Sequence, residues 1–247
     1  MTYCCGLLLK DGLVMIADTR TNAGVDNISV FRKLHTVEGQ DRFLAVATAG
    51  NLSVTQSVLS NLSNGVRDPI TEEVHTLMTV KDMFSAAKLL GDAVATVRRK
   101  IAEAVEPEIS ADVTLLFGGQ IAGEEMRFFL IYSEGNFIEC EPETPYFQAG
   151  ETKYGKPILL RSVNYETDLY EALKVGLVSF DSTLRSNLAV GMPIDLLLLR
   201  RGELTPELSH RIEVDDVYFH DLGERWSTAL RDAIVDIPPV PYGNGNN

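Results

Sequence analysis

Residues 2–18, TYCCGLLLKDGLVMIAD, are apolar almost without interruption, and only Lys10 and Asp11 cut the run. Two short strands, 2–9 and 13–18, joined by a tight Asp11-Gly12 turn, fit this pattern. A loop rich in Asn and Gly (TNAGVDN) follows, then strand-like runs at 34–37 and 43–49. The period then changes. Asn51 is placed to cap a helix reaching about residue 62, with Leu52, Thr55, Val58, Leu59 and Leu62 on one face. The polar stretch SNGVRDPI closes it. Thr79 and Asp82 form a second helix start, and Met83, Ala86, Ala87, Leu90, Ala93, Val94 and Val97 make the stripe of a helix over 80–104, with Pro107 beyond its end.

Strand patterns return at 112–118, 126–132 and 136–140, linked by turns containing glycine. A helix is predicted from Asp168 to about Leu184, its stripe formed by Leu169, Ala172, Leu173, Leu177 and Phe180. A strand at 193–200, a short strand at 211–214 and an amphipathic stretch at 222–235 with Trp226, Leu230 and Ile234 complete the pattern. Pro238, Pro239 and Pro241 end it, and YGNGNN reads as a frayed tail. Strands and helices thus come in blocks, which predicts an α+β layered sandwich rather than a doubly wound βαβ sheet. No linker, charge block or repeat interrupts the chain, so residues 1–237 are expected to form one domain with a tail at 238–247.

Composition narrows the function classes. The 247 residues are 45% hydrophobic and 23% charged, ordinary values for a globular protein. A net charge of −13 disfavours nucleic acid as a partner, because phosphate binding needs a basic face. Cys4 and Cys5 point to opposite faces of one strand and Cys140 is remote, so reduced thiols and a cytoplasmic setting are expected. His35, His75, His210 and His220 are scattered and no zinc-like spacing occurs, so no metal or cofactor is implied. No signal peptide or membrane span is expected: the longest apolar run, PIDLLLL, is strand-sized.

The candidate chemistry lies near the start. With Met1 removed, Thr2 carries a hydroxyl nucleophile and a free α-amine on one residue, and an amine with an ordinary pKa of about 7.7–8.0 serves as base at neutral pH. Asp18, at a strand end, reads alone as a turn residue or a surface ion-pair partner, and Lys33 alone as a solvated cation. Together beside Thr2 they acquire a task. A buried ammonium lowers the cost of deprotonating the hydroxyl, and the carboxylate holds that ammonium. Gly50 closes AVATAG as a turn residue or, by its backbone N–H, as donor to an oxyanion.

These residues, in TYCCGLLLKDGLVMIADTRTNAG, RKL and AVATAG, resemble the amino-terminal half of proteasome β-type subunits, which are N-terminal nucleophile hydrolases. The MTYC start and the DSTLRSNLAVGMPIDL segment resemble the bacterial Anbu, or ancestral β-subunit, branch. The resemblance spans residues 2–200. It implies Thr2 as nucleophile, Asp18 and Lys33 as the activating pair, and Gly50 as oxyanion donor. In FDSTLRSNLAVG it implies Asp181 as a residue holding the terminal amine, with Ser182 and Ser186 as candidate serines, Ser186 preferred. Asn22 stands where Ser or Thr usually binds the peptide chain, and Thr21, Phe31 and Thr48 would line the first specificity pocket. Glu151, in AGETKYG, stands where a serine is usual near the nucleophile, and its extra carboxylate would alter amine protonation or substrate preference.

The resemblance further implies a four-layer αββα sandwich, a cofactor-free threonine peptidase or amidase acting on peptides or proteins, and homo-oligomeric rings or spirals. An ATPase unfoldase is the activator by analogy. A small-amide hydrolase, a catalytically silent scaffold subunit and a plain binding module remain as alternatives.

Overall fold

The computed structural model describes residues 2–22, 28–67, 72–104 and 111–242. Met1, most of the Asn/Gly-rich loop, Pro107 and the last five positions of the tail lie outside the described residues, as does part of the SNGVRDPI stretch. The chain opens with β1 (Tyr3–Leu9), β2 (Gly12–Asp18), β3 (Arg20–Asn22), β4 (Ile28–Val30), β5 (Leu34–Glu38) and β6 (Arg42–Gly50). Helix α1 (Leu52–Asn64), the short β7 (Val66–Arg67) and β8 (Val74–His75), and helix α2 (Met83–Ala104) follow. Next come β9 (Val113–Ile121), β10 (Arg127–Ile131), β11 (Phe137–Glu139) and β12 (Tyr146–Gly150), then α3 (Lys156–Ser162) and α4 (Leu169–Ser186). Strands β13 (Ile194–Arg200) and β14 (Leu208–Ile212) precede α5 (Val217–Val235). The chain divides into two compact units: one ends at Val214, and the other begins at Asp215 and contains α5.

Two five-stranded sheets build the first unit, in the orders β12-β1-β2-β13-β14 and β11-β10-β9-β6-β5. Their pairings are antiparallel, with Cys4 opposite Ala17 in β1–β2 and Thr48 opposite Leu115 in β6–β9. Alternation along each strand sends one set of side chains between the sheets and the other toward helices. Leu13, Met15 and Ala17 of β2 join Phe43, Ala45, Ala47, Leu116 and Phe128 in the core between the sheets. On the other face, Ile16 and Leu7 reach Gly176 of α4, and Tyr3 meets Phe180 of α4 with ring centroids 4.5 Å apart. Both β1 and β2 are therefore buried along their whole length, which is why their sequence is continuously apolar rather than alternating. The outer face of the second sheet carries α1 and α2, with Val58, Leu90 and Val94 packing over Val46, Phe117 and Phe129. Helix, sheet, sheet and helix give the α+β sandwich expected from the block order.

Two of the expected helix starts hold as read, at Asn51 and Asp168, and a third holds in part. Asn51 Oδ1 accepts from the N–H groups of Ser53 at 2.9 Å and Val54 at 3.3 Å, and Asp168 Oδ1 accepts from Tyr170 at 2.9 Å. Asp82 Oδ1 accepts from Ser85 N at 2.6 Å, so α2 starts at Met83, while Thr79 serves a turn with Thr76. Other expectations need correction. The first hairpin turns at Lys10 and Asp11, with Leu9 opposite Gly12, one residue before the Asp11-Gly12 turn expected from composition. Strand β14 occupies Leu208–Ile212 rather than 211–214. Helix α5 begins at Val217 because Asp216 Oδ1 caps it from Phe219 N at 2.8 Å, five residues before the apolar stripe becomes legible. The short ribbons β3–β4 and β7–β8, strand β12 and helix α3 were missed. The ribbon strands are two or three residues long, β12 is a five-residue edge strand of mixed burial, and α3 is a seven-residue helix too short to display a period.

Phe128 locks the two sheets. Its ring fills a notch left by two glycines: a Cβ on Gly6 would lie 2.2 Å from its Cζ, and one on Gly118 2.8 Å from its Cδ2. Phe128→Ala is expected to cost about 3–5 kcal/mol. Urea denaturation followed by circular dichroism should give a lower midpoint at unchanged slope. An unchanged midpoint would contradict the packing described.

Candidate active site

The pairing of β1 with β2 brings the strand end at Asp18 beside the start of the chain. Asp18 Oδ1 accepts from Tyr3 N at 3.0 Å, fixing the residue that follows Thr2. The same oxygen accepts from Lys33 Nζ at 2.8 Å, and Oδ2 accepts from Gly191 N at 3.3 Å. Lys33 Nζ also donates to the carbonyl of Arg20. Asp18 is fully buried and Lys33 is 4% exposed. Burial pushes the Asp18 carboxyl up from its ordinary range, while the Lys33 ammonium and the N–H groups of Tyr3 and Gly191 pull against it. Lys33 is anchored just before β5, its carbonyl accepting from Thr48 N at 2.9 Å. The neighbouring Cys4 thiol is raised by burial first and by the Asp18 charge second, so it stays protonated and is no rival nucleophile.

Thr2, Thr21, Lys33, Thr48 and Gly50 line one cleft of about 330 Å³, whose remaining wall is the start of α1 with Asn51, Ser53 and Thr55. Gly50 has φ +111°, and a Cβ there would fall 2.2 Å from the Asp112 carbonyl oxygen, so only glycine fits. The Thr21 hydroxyl oxygen is buried and has no hydrogen-bond partner among the described residues. Thr2, Asp18, Lys33, Gly50, Thr21 and Thr48, six positions scattered along the sequence, are thus gathered at one end of the sheets. Phe31 is not among the cleft-lining residues and is 39% exposed. Asn22 pairs its backbone with Ile28 at the end of the β3–β4 ribbon, and its side chain lies outside the described set.

A second set of polar residues lies at the end of β12 and along α4, and one of them bonds Thr2. Glu151 N donates to the Thr2 carbonyl at 2.7 Å, and Glu151 is 5% exposed. Asp181 on α4 accepts from Arg185 Nε at 3.0 and 3.1 Å, one bond to each carboxylate oxygen. Ser186 is the exposed last residue of α4, and Ser182 is half-buried. Asn187 was not anticipated. It follows α4 directly and donates its side-chain amide to Glu151 Oε2 at 2.9 Å. Its place at a helix end was legible, but its partner lies 36 positions away. Tyr3 was read only as a strand residue. Its buried hydroxyl lies 3.1 Å from Ser179 Oγ and accepts from Gln148 Nε2 at 2.6 Å, tying β1 to α4 and β12.

Among the described residues, no group of three or more His, Cys, Asp or Glu side chains is arranged to hold a metal ion. No described helix is long and apolar enough to cross a membrane.

No protein-family model matches the chain, and no curated protein matches it. Solved structures do. The Anbu (ancestral beta-subunit) from Yersinia bercovieri is 43% identical, with 98% of this chain and 100% of that one covered and a TM-score of 0.88. Anbu from Hyphomicrobium sp. strain MC1 is 45% identical over 97% of this chain and 100% of that one, with a TM-score of 0.87. The protein in the helical assembly of the Anbu complex from Pseudomonas aeruginosa is 42% identical over 97% of this chain and 98% of that one, also with a TM-score of 0.87. Identity at this level over nearly the full length accompanies the same αββα layering, and the chain belongs to the Anbu (ancestral beta-subunit) family, which is proteasome-β-like.

Proposed function

We propose that this chain is an N-terminal threonine hydrolase of peptide or amide bonds, active once Met1 has been removed. One observation carries the reading: a buried lysine–aspartate pair opens onto the same cleft as Thr2, and its carboxylate also holds the N–H of the residue after Thr2. Burying two charges costs several kcal/mol per ion, and apolar side chains would stabilise the sheet end at least as well. A charge needed in that position for chemistry accounts for the pair.

In this reading Thr2 Oγ attacks the substrate carbonyl and its proton passes to the α-amine, directly or through a water. The Lys33 ammonium lowers the cost of the developing alkoxide. The Gly50 N–H donates to the oxyanion of the tetrahedral intermediate. Breakdown expels the amine product and leaves an acyl-enzyme ester on Thr2, which water hydrolyses. Thr21 and Thr48 meet the substrate in the cleft, and Asn22, at the end of β3, pairs with its backbone. Three buried, unpaired cysteines support a cytoplasmic setting. The helical assembly formed by the Pseudomonas relative supports homo-oligomerisation here.

Thr2→Ala is expected to lower hydrolysis of a fluorogenic peptide panel by on the order of 10³-fold or more, while Thr2→Ser keeps measurable turnover. Undiminished activity in Thr2→Ala would end the proposal. Lys33→Met strands a buried carboxylate and is expected to cost about 3–5 kcal/mol. Adding Asp18→Asn to it should recover part of that loss, because the stranded charge is gone. A double-mutant cycle in urea measures this, and strictly additive costs would mean that the two groups are not coupled.

A further inference from the structure

This inference rests on the proposal that Thr2 works through a free amine, and it concerns Glu151, whose N–H is bonded to the Thr2 carbonyl. Glu151 directly follows β12, and the β1–β12 register sets Tyr3 opposite Gly150, which brings residue 151 against residue 2. The Glu151 N–H bond to the Thr2 carbonyl, at 2.7 Å, closes this contact. The approach requires glycine at position 150: its φ is +83°, and a Cβ there would lie 2.0 Å from the Thr2 carbonyl oxygen.

The Glu151 side chain is 5% exposed, yet its described partners are weak for a buried carboxylate. Oε2 accepts one neutral amide hydrogen bond, from Asn187 Nδ2 at 2.9 Å. Oε1 faces Lys153 Nζ at 3.7 Å, and that lysine side chain is 75% exposed. A buried anion held by one amide and one solvated cation is under-compensated. Loss of Met1 creates a new cation, the Thr2 α-ammonium, on the residue that Glu151 touches.

We propose that Glu151, aligned by the Asn187 amide, is the positioning residue of the Thr2 amine. Its carboxylate raises the proton affinity of the neutral amine, because it stabilises the ammonium that forms when the amine takes up a proton. In the attack the Thr2 O–H bond breaks, its oxygen bonds the substrate carbonyl carbon, and the proton goes to the amine nitrogen. Glu151 stabilises the ammonium so formed. The other charges near the terminus are already engaged. Lys33 and Asp18 neutralise each other in direct contact at 2.8 Å, and Asp181 is closed on Arg185 one turn further along α4. Lys33 alone would depress the amine, Asp18 offsets it, and Glu151 is the charge left over.

The amine can be titrated without any substrate. On protein whose intact mass shows Thr2 first, the rate of α-amine acylation by acetic anhydride is followed against pH, with the modified terminal peptide read by mass spectrometry. Glu151→Gln is expected to lower the titration midpoint by about one pH unit. Asn187→Ala, which misaligns the carboxylate, should shift it in the same direction by less, and Lys153→Ala should leave it in place. If Glu151→Gln fails to fold, the Asn187→Ala shift decides. A midpoint that moves in neither variant, with thermal unfolding showing both folded, overturns the proposal and makes Glu151 a strut between β12 and α4. A shifted midpoint in a protein that hydrolyses no peptide would sustain this inference while sinking the peptidase reading. Retention of Met1 in every preparation would overturn both.

Discussion

An ammonium and a carboxylate buried at the end of two stacked sheets constrain everything near them. Lys33 and Asp18 lie 2.8 Å apart with almost no exposure, and neither is tolerable there without the other. Satisfying the pair enlists the Tyr3 and Gly191 N–H groups and the Arg20 carbonyl, which come from three separate stretches of chain. The start of β1 is thereby fixed to the end of β2. Thr2 reaches the cleft with its position set by backbone hydrogen bonds rather than by loop packing, the kind of support a nucleophile needs.

The sandwich supplies the rigidity behind this arrangement. The core between the sheets is filled by Leu13, Met15 and Ala17 of β2 and Phe43, Ala45 and Ala47 of β6, with Phe128 wedged between Gly6 and Gly118. Tyr3 extends the anchoring outward through its hydroxyl contacts with Ser179 and Gln148. The terminus is thus held by its sheet neighbours on both sides and by the helix packed over them.

How much of this was legible in the sequence follows from the range of each interaction. Apolar runs, caps such as Asn51 and Asp168, and the order of strand and helix blocks are local signals, and they led to the right layers. Thr2, Lys33 and Gly50, which line the cleft, and Asp18 behind Lys33 were legible only in combination, as an ordered array that resembles proteasome β-type subunits. Strand β12 was not, since an edge strand of mixed burial resembles a loop in composition. The Glu151–Asn187 contact was hidden for another reason: it joins positions 36 apart through one side-chain amide, and no periodicity encodes such a pair. The earlier start of α5 shows the same limit, because its cap precedes the apolar stripe by more than a turn.

The chemistry turns on a free α-amine at Thr2, and the identity of the first residue in protein taken from its native host is the most direct test. Intact-mass and terminal-peptide mass spectrometry should find the chain beginning at Thr2, without Met1. A chain that begins with methionine throughout would have no base at the nucleophile and would contradict the mechanism.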